Sequence, residues 1–257
     1  MKRKVVNGTS SNELVLSSYT ANNDAVFPKI LDLYVKRGGT IADVTFGKGV
    51  FWRRVPPHQY DILPSDILTG TDCRVLPYSD GSIDCVVLDP PYMHSPGGTA
   101  HSGQAPFESY YRNNHANGHR GKYHEAVLAL YEDAGVEAYR VLRDWGVMIV
   151  KCQDEVCANR QRFTHIEIMQ SYARTGFVAE DLFVVARTNR PGVSAAKQQV
   201  HARKNHSYFL VFWKPPKHRG KRPPIWKPPN ERKSSGTYAG DHPSEHPRQY
   251  LGGLALD

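Results

Sequence analysis

An acidic tetrapeptide, Asp89-Pro90-Pro91-Tyr92, stands at the carboxyl end of a predicted buried strand, residues 83–89. Ligands of open α/β sheets bind at the carboxyl ends of the strands, so a carboxylate, a proline-fixed backbone and an aromatic ring could act on a bound molecule here. The same residues could be a strand end followed by a turn that proline stiffens. Taken alone, the tetrapeptide favours that structural interpretation.

A second predicted strand, residues 41–46, ends at a Gly-Lys-Gly turn, residues 47–49. Glycines let the backbone approach a ligand closely. Asp66 follows Gly47 by 19 residues, which suits an acid that accepts hydrogen bonds from ribose hydroxyls at the next strand end. Asp72 is a third acidic candidate for a strand end. Together these residues shift the interpretation of the tetrapeptide towards a ligand-binding edge.

Alternating short strands and helices must position these residues. Helices are predicted at 26–35, 123–143 and 161–175, and strands at 41–46, 83–89, 147–150, 177–187 and 207–213. This alternation predicts a mostly parallel sheet with helices on both faces. The last two strands have no helix between them and are expected to pair antiparallel. Residues 93–122 lack periodicity, and a loop of that length is usually functional or disordered.

Composition limits the class of protein. The 257 residues are 40% hydrophobic and 23% charged, which excludes wholesale disorder and a collagen-like fibre. No apolar run approaches the roughly 18–20 residues that span a bilayer, and no apolar stretch follows the basic N-terminus as in a signal peptide. Four cysteines are too few for a disulfide scaffold. We therefore expect a cytoplasmic protein with reduced cysteines and no membrane partner.

The net charge of +8 is concentrated near the C-terminus. Residues 214–233 contain eight Lys or Arg against one acid, Glu231, together with six prolines. Such a segment does not form a helix or an interior strand, because proline removes backbone donors and like charges repel. It could be a solvated tail or a tail that contacts phosphates without sequence preference, and the two interpretations are compatible.

Taken together, the motifs resemble those of the S-adenosylmethionine-dependent amino-methyltransferases of nucleic acids, in particular the N6-adenine and N4-cytosine DNA methyltransferases. The resemblance implies a Rossmann-like methyltransferase fold: a mostly parallel seven-stranded sheet with an antiparallel C-terminal strand and helices on both faces. It covers about residues 20–213, the expected methyltransferase domain, with 93–122 as a substrate or recognition loop. Residues 1–19 would be an N-terminal extension and 214–257 a flexible basic tail.

By this resemblance the cofactor is S-adenosyl-L-methionine. The residues implied to bind it are Asp24, Phe27, Asp43, Thr45, Phe46, Gly47, Gly49, Asp66 and Asp72. The loop departs from the usual form of the family, because Thr45 replaces an aromatic residue, Lys48 a small one and Val50-Phe51 a pair of hydroxyl residues. Asp24 could equally belong to a helix N-terminus that it or Asn23 caps.

The resemblance also implies how the tetrapeptide would act on a base flipped out of double-stranded DNA. An exocyclic amino group is a poor nucleophile because its lone pair is delocalised into the ring. The Asp89 carboxylate and the Pro90 carbonyl would accept its hydrogens, Pro91 would help to fix the backbone, and Tyr92 would stack on the base.

In the family that the chain resembles, Asp and not Ser at position 89 favours adenine N6 as the target. Cytosine N4, an RNA substrate and an inactive nucleic-acid-binding protein on the same scaffold remain alternatives. Cytosine C5 chemistry is disfavoured, since the chain has no Pro-Cys dipeptide.

Basic residues outside the motifs are candidates for contacts to nucleic acid: Lys151, Arg187, Arg190, Lys204 and His206. An ordinary strand-end lysine and a solvated hairpin are the alternatives. Histidines 94, 101, 115, 119 and 124 have irregular spacing and no cysteine neighbours, so we predict no metal site and expect a loop that contacts nucleic acid. Because no room remains for a separate recognition domain, residues 93–122 are expected to read the sequence and the basic tail to add affinity.

Overall fold

The computed structural model describes residues 14–92, 123–188 and 198–216. The strands of these residues are β1 (Ser18–Thr20), β2 (Thr40–Asp43), β3 (Asp61–Pro64), β4 (Ile83–Leu88), β5 (Leu142–Cys152), β6 (Glu155–Cys157), β7 (Arg160–Arg162), β8 (Val178–Ala186) and β9 (His206–Trp213). The helices are α1 (Asn23–Tyr34), α2 (His124–Val141) and α3 (Thr164–Thr175), with short 3-10 helices at Val50–Arg54 and Ile67–Thr69.

Seven of the strands form one sheet in the order β1-β8-β9-β5-β4-β2-β3. Strand β9 runs antiparallel to both of its neighbours, β5 and β8, and every other pairing in this sheet is parallel. The predicted fold class, a mostly parallel seven-stranded sheet with an antiparallel C-terminal strand, is confirmed. Strands β2, β3 and β4 therefore all end at one edge, where the predicted site residues follow them.

Alternate strand residues point to opposite sides of the sheet, so the apolar strands place buried residues on both faces. Helices cover both of these faces. On one face, α2 and α3 bury residues such as Leu130, Tyr131 and Tyr172 against Val86 and Met148. On the other face, α1 and the 3-10 helix bury an aromatic group whose members include Phe27, Phe51, Phe183 and Phe209. The central strands supply residues to both clusters, which gives the three-layer arrangement expected from the alternation of elements.

The structure differs from the predicted boundaries at both ends of the domain. Strand β1 begins at Ser18, inside the expected N-terminal extension, and pairs in parallel with β8. Lys214 lies in the expected tail but is buried, with Nζ donating to the carbonyl oxygens of Tyr139 (2.7 Å) and Leu142 (2.6 Å). The packed domain thus includes residues that were expected to lie in its flanks.

A two-stranded hairpin of β6 and β7 was not predicted and follows directly from the end of β5. Its strands have three residues each, too few for an alternating pattern to be visible in the sequence. None of the described helices is long and apolar enough to cross a membrane. The expected recognition loop 93–122 and the tail beyond residue 216 lie outside the described residues.

Candidate active site

Asp89 follows the last residue of β4 and is held from two sides. Its backbone N–H donates to Thr45 Oγ1 at 2.6 Å, and the Tyr92 hydroxyl donates to its Oδ1 at 2.6 Å. The intervening Pro90 is buried, whereas Pro91 and Tyr92 are half-buried. Thr45, a position where the loop departs from the usual family pattern, thus ties the loop after β2 to the tetrapeptide after β4.

The environment of the Asp89 carboxyl group opposes its ionisation. Burial raises its pKa to about 6, while the hydrogen bond from Tyr92 and the positive charge of Lys151 work in the opposite direction. The carboxylate therefore prevails at neutral pH, although it is a stronger proton acceptor than an exposed aspartate. Such a group can hold the hydrogens of an amino group and afterwards accept a proton.

The loop after β2 turns through two glycines with left-handed backbone, Gly47 at φ 51° and Gly49 at φ 62°. A side chain at position 49 would also collide with the Phe46 ring, because a Cβ there would lie 2.8 Å from Phe46 Cζ. Phe46 N–H in turn donates to the carbonyl oxygen of Ser65, just after β3. The glycines predicted from the Gly-Lys-Gly turn are thus required by the loop conformation itself.

Asp43 lies beneath this loop and does not face the open edge of the sheet. It is 3% exposed, and its Oδ1 and Oδ2 accept hydrogen bonds from the backbone N–H of Thr45 (3.2 Å) and from Trp52 Nε1 (2.7 Å). Burial raises its pKa to about 7 in spite of these two bonds. Asp43 therefore positions the loop. Trp52 was missed by the sequence reasoning, and no sequence signal marks it.

Asp66 lies two residues beyond β3 and joins the loop to that strand end. Its Oδ2 accepts from the backbone N–H of Gly47 (3.0 Å), and its Oδ1 accepts from the backbone N–H of Leu68 (2.9 Å), so that it also caps the following 3-10 helix. The 19-residue spacing from Gly47, noted in the sequence, corresponds to this direct contact.

Asp24 and Phe27 lie on α1, which packs over the same edge. The N-cap of this helix is Asn22, and not Asn23 or Asp24 as the sequence suggested. Asp24 Oδ2 accepts from Arg54 Nε at 3.1 Å, while its buried Oδ1 has no hydrogen-bond partner among the described residues. Phe27 is fully buried and packs edge-on to Trp52, with ring centroids 5.1 Å apart. Phe27 is therefore a core residue, and Asp24 is the polar group that α1 brings to the edge.

Asp72 does not end a strand, contrary to the expectation from the sequence. It lies in the connection between the second 3-10 helix and β4. Its two carboxylate oxygens accept from the Arg74 side chain, with the Nη2–Oδ2 distance at 2.7 Å, and Oδ1 also accepts from the Arg74 backbone N–H. The side chain of Arg74 is 8% exposed, so this ion pair closes a local turn.

Of the residues predicted to contact nucleic acid, Lys151 departs furthest from the expectation. It is 1% exposed at the end of β5, and its Nζ donates to Ser207 Oγ at 2.5 Å. A buried ammonium group in this position does not reach a phosphate on the protein surface. Arg187 is exposed and donates to Gln153 Oε1, and Lys204 and His206 are half-buried. Arg190 lies outside the described residues.

A cleft of about 610 Å³ opens beside Tyr92. Its walls are Tyr123, the hairpin residues 153–159 and the segment 198–204, which brings Lys204 to its rim. His124 lies at this cleft but is 1% exposed, because its two ring nitrogens contact Glu155 Oε1 (2.7 Å) and Glu167 Oε2 (2.6 Å). The expectation that His124 belongs to a loop contacting nucleic acid was wrong, since it joins α2, β6 and α3 in the interior.

Burial works to lower the pKa of His124, but its hydrogen bonds to Glu155 and Glu167 outweigh that effect and raise the pKa above 6.5. Within the described ranges, no group of three or more His, Cys, Asp or Glu residues could hold a metal ion.

Comparison with known proteins identifies the family. The model of the N6/N4 DNA methylase family matches residues 83–251, and the chain belongs to this family. S-adenosylmethionine is the methyl donor of the family, so the family and the cofactor predicted from the sequence are both confirmed. No curated protein gave a match.

Several solved structures are similar to this chain. One, from Thermus thermophilus, is described as a DNA modification methylase complexed with S-adenosyl-L-methionine. It is 17% identical in sequence, with a TM-score of 0.38, and the match covers 71% of this chain and 58% of that one. TrmN from Thermus thermophilus shows 14% identity, TM-score 0.44, and coverage of 74% and 48%.

A methyltransferase from Methanosarcina mazei, named as dependent on S-adenosylmethionine, shows 11% identity, TM-score 0.43, and coverage of 73% and 98%. This chain spans only 53–58% of the length of the Thermus methylase structures. The family assignment rests on the family match alone.

Proposed function

We propose that this protein transfers a methyl group from S-adenosylmethionine to the exocyclic amino nitrogen of a base in DNA, with adenine N6 the favoured acceptor. The observation that carries the proposal is the geometry of Asp89. Its carboxylate stands at the carboxyl end of β4, bonded to Tyr92 and tied through Thr45 to the glycine loop, in a chain of the N6/N4 DNA methylase family.

The residues of the sheet edge fit the cofactor. S-adenosylmethionine supplies an electrophilic methyl group on a sulfonium sulfur, and it carries an ammonium group and two ribose hydroxyls that need acceptors. Asp24 Oδ1 is a buried oxygen without a hydrogen-bond partner in the described parts of the chain, which suits the ammonium group. Asp66 is the acid that suits the ribose, and Gly47 and Gly49 present no side chain of their own to a bound molecule.

The tetrapeptide would activate the amino group by holding its hydrogens. Among the described residues, Tyr92 engages Oδ1 of Asp89, so Oδ2 would accept one hydrogen and the Pro90 carbonyl the other. The sulfonium would give up its methyl group to the nitrogen lone pair and leave as a thioether, and the Asp89 carboxylate would accept the proton that the nitrogen loses. A pKa of about 6 suits this group to both steps.

Support for adenine comes from Asp at position 89, and support for a flipped base comes from the half-buried ring of Tyr92 beside the open cleft. Residues 93–122 remain our proposal for sequence reading, and Arg187, Arg190, Lys204, His206 and the basic tail for contacts to the DNA backbone. Double-stranded DNA is the proposed partner.

The test combines product analysis with one substitution. The full chain is incubated with labelled cofactor and a mixture of double-stranded DNA and RNA, and the nucleosides are separated after digestion. Label in N6-methyladenine from DNA is expected; label in N4-methylcytosine or in RNA would replace the proposed acceptor, and absence of label would refute the activity.

Asp89→Ala should lower turnover by about 10²-fold or more, while cofactor affinity measured by calorimetry stays within a few-fold of the wild-type value. Asp80→Asn serves as the matched control, because Asp80 is exposed, pairs with Arg140 and lies before the start of β4. Turnover of Asp89→Ala within tenfold of the wild-type value would contradict the assigned role.

A further inference from the structure

Four polar residues lie in a row on one face of the sheet, each at the end of its strand nearest the candidate site. The row is Asp43 on β2, Asp89 after β4, Lys151 on β5 and Ser207 on β9. Register places Asp43 beside Val87, Leu88 beside Val150, and Lys151 beside Phe209. Since residues two apart on a strand share a face, Asp89 and Ser207 project on the same side as Val87 and Phe209.

Lys151 is the only cation of this row, and its surroundings are unusual for a lysine. Its ammonium group is buried, donates to Ser207 Oγ and lies 4.3 Å from the centroid of the Phe209 ring. A buried ammonium group is costly unless opposite charge lies close by. The negative charge that favours its ionised form most is that of Asp89, which follows the neighbouring strand.

We infer that Lys151 is a positioning residue whose charge keeps Asp89 ionised, and that Ser207 holds the Lys151 ammonium group for this purpose. The catalytic meaning of this inference rests on the proposed function, whereas the coupling of Lys151 to Asp89 does not. Strand β5 lies between β4 and β9, so sheet pairing keeps Lys151 beside the strand end that carries Asp89, while Ser207 on β9 holds the ammonium group.

Among the described residues, the other groups around Asp89 cannot replace Lys151. Asp43 is a carboxyl group that adds like charge when it ionises, and Tyr92 donates one hydrogen bond but remains neutral. Arg187 is exposed, so solvent screens its charge. Electrostatics agrees with the geometry: Lys151 lowers the pKa of Asp89, and Asp89 raises that of Lys151, which burial has brought down to about 8.

The test measures the coupling directly by an NMR pH titration of the carboxyl carbons in protein labelled with ¹³C-aspartate, with Asp89→Asn to assign the Asp89 signal. Lys151→Met keeps an unbranched side chain, one atom shorter than lysine, and removes its charge. We expect the pKa of Asp89 to rise by roughly 1–3 units, the range for loss of a nearby opposite charge. Ser207→Ala keeps the charge but releases the ammonium group, and we expect a smaller rise in the same direction.

Enzymatic activity gives the second readout. In Lys151→Met the acidic limb of the pH–rate profile should move to higher pH together with the pKa of Asp89. If that pKa rises by one to two units, turnover at pH 7 should fall about two- to tenfold and recover near pH 9. A loss of turnover caused by a packing defect would not be recovered at higher pH. Cofactor affinity, measured by calorimetry, should stay within about twofold of the wild-type value.

The outcomes separate the two proposals. An unchanged Asp89 titration in Ser207→Ala and Lys151→Met would overturn the inference, and an unfolded Lys151→Met protein would leave Ser207→Ala to decide it alone. If the wild-type protein methylated no substrate, the proposed function would fail, yet the titration would still show whether Lys151 holds Asp89 ionised.

Discussion

Replacing Trp52 by phenylalanine should destabilise the protein more at alkaline pH than at acidic pH. Trp52 Nε1 donates to Asp43 Oδ2 at 2.7 Å, and Asp43 is almost fully buried. Phenylalanine would keep an aromatic ring against Phe27 but would remove this donor. The pH-dependent part of the effect therefore reports on one hydrogen bond to one buried carboxyl group.

The pH dependence follows from the pKa of Asp43, which is about 7 in the folded protein against 3.8 for an ordinary aspartate. Because the folded value is the higher one, the native state holds a proton between these pH values that the unfolded state has lost, and stability falls as the pH rises through this window. The bond from Trp52 favours the ionised form, so Trp52→Phe should raise this pKa further.

At pH 5 the carboxyl group is protonated in the native state of both proteins, and the loss should be that of a neutral hydrogen bond, about 0.5–1.5 kcal/mol. At pH 9 the bond is to a charged group, and the loss should reach about 1.5–3 kcal/mol.

Urea unfolding followed by circular dichroism at pH 5, 7 and 9 measures both differences in the free energy of unfolding. The control is Trp145→Phe, which makes the same chemical change in the stacked Trp145–Trp213 pair, on the opposite end of the sheet from Asp43. Its effect should not vary with pH in this way. A loss in Trp52→Phe that is equal at pH 5 and pH 9 would refute the reasoning about Asp43.

Two further substitutions test the packing of α2. Gly135→Ala should lower the free energy of unfolding by about 1–3 kcal/mol, because the new Cβ would overlap the buried Tyr172 ring, 2.8 Å from its Cζ. This loss should outweigh the better helix propensity of alanine. A variant that is more stable in thermal unfolding would contradict this contact. Lys214→Met should cost about 1.5–3 kcal/mol in urea unfolding, because the carbonyl oxygens of Tyr139 and Leu142 lose a charged donor. An unchanged urea midpoint would show that Lys214 does not stabilise the packed domain.

Much of the fold and the location of the site could be predicted from the sequence because the responsible patterns are local. Apolar runs near residues 41–46 and 83–89 mark β2 and β4, and amphipathic spacing marks α2. The tetrapeptide and the Gly-Lys-Gly turn follow these strands directly. Parallel strands bring their carboxyl ends to one edge, so the assembly of Asp89 with the glycine loop follows from the order of elements alone.

The role of each polar residue at that edge was decided by the tertiary structure. Whether an acid or a base faces a ligand or is buried depends on partners from distant parts of the chain: Asp43 meets Trp52 from the 3-10 helix, and Lys151 meets Ser207 from a strand that begins more than fifty residues later. Sequence spacing carries no information on such contacts, because they exist only after the sheet has formed. The same reason applies to β1, whose three residues become a strand only by pairing with β8.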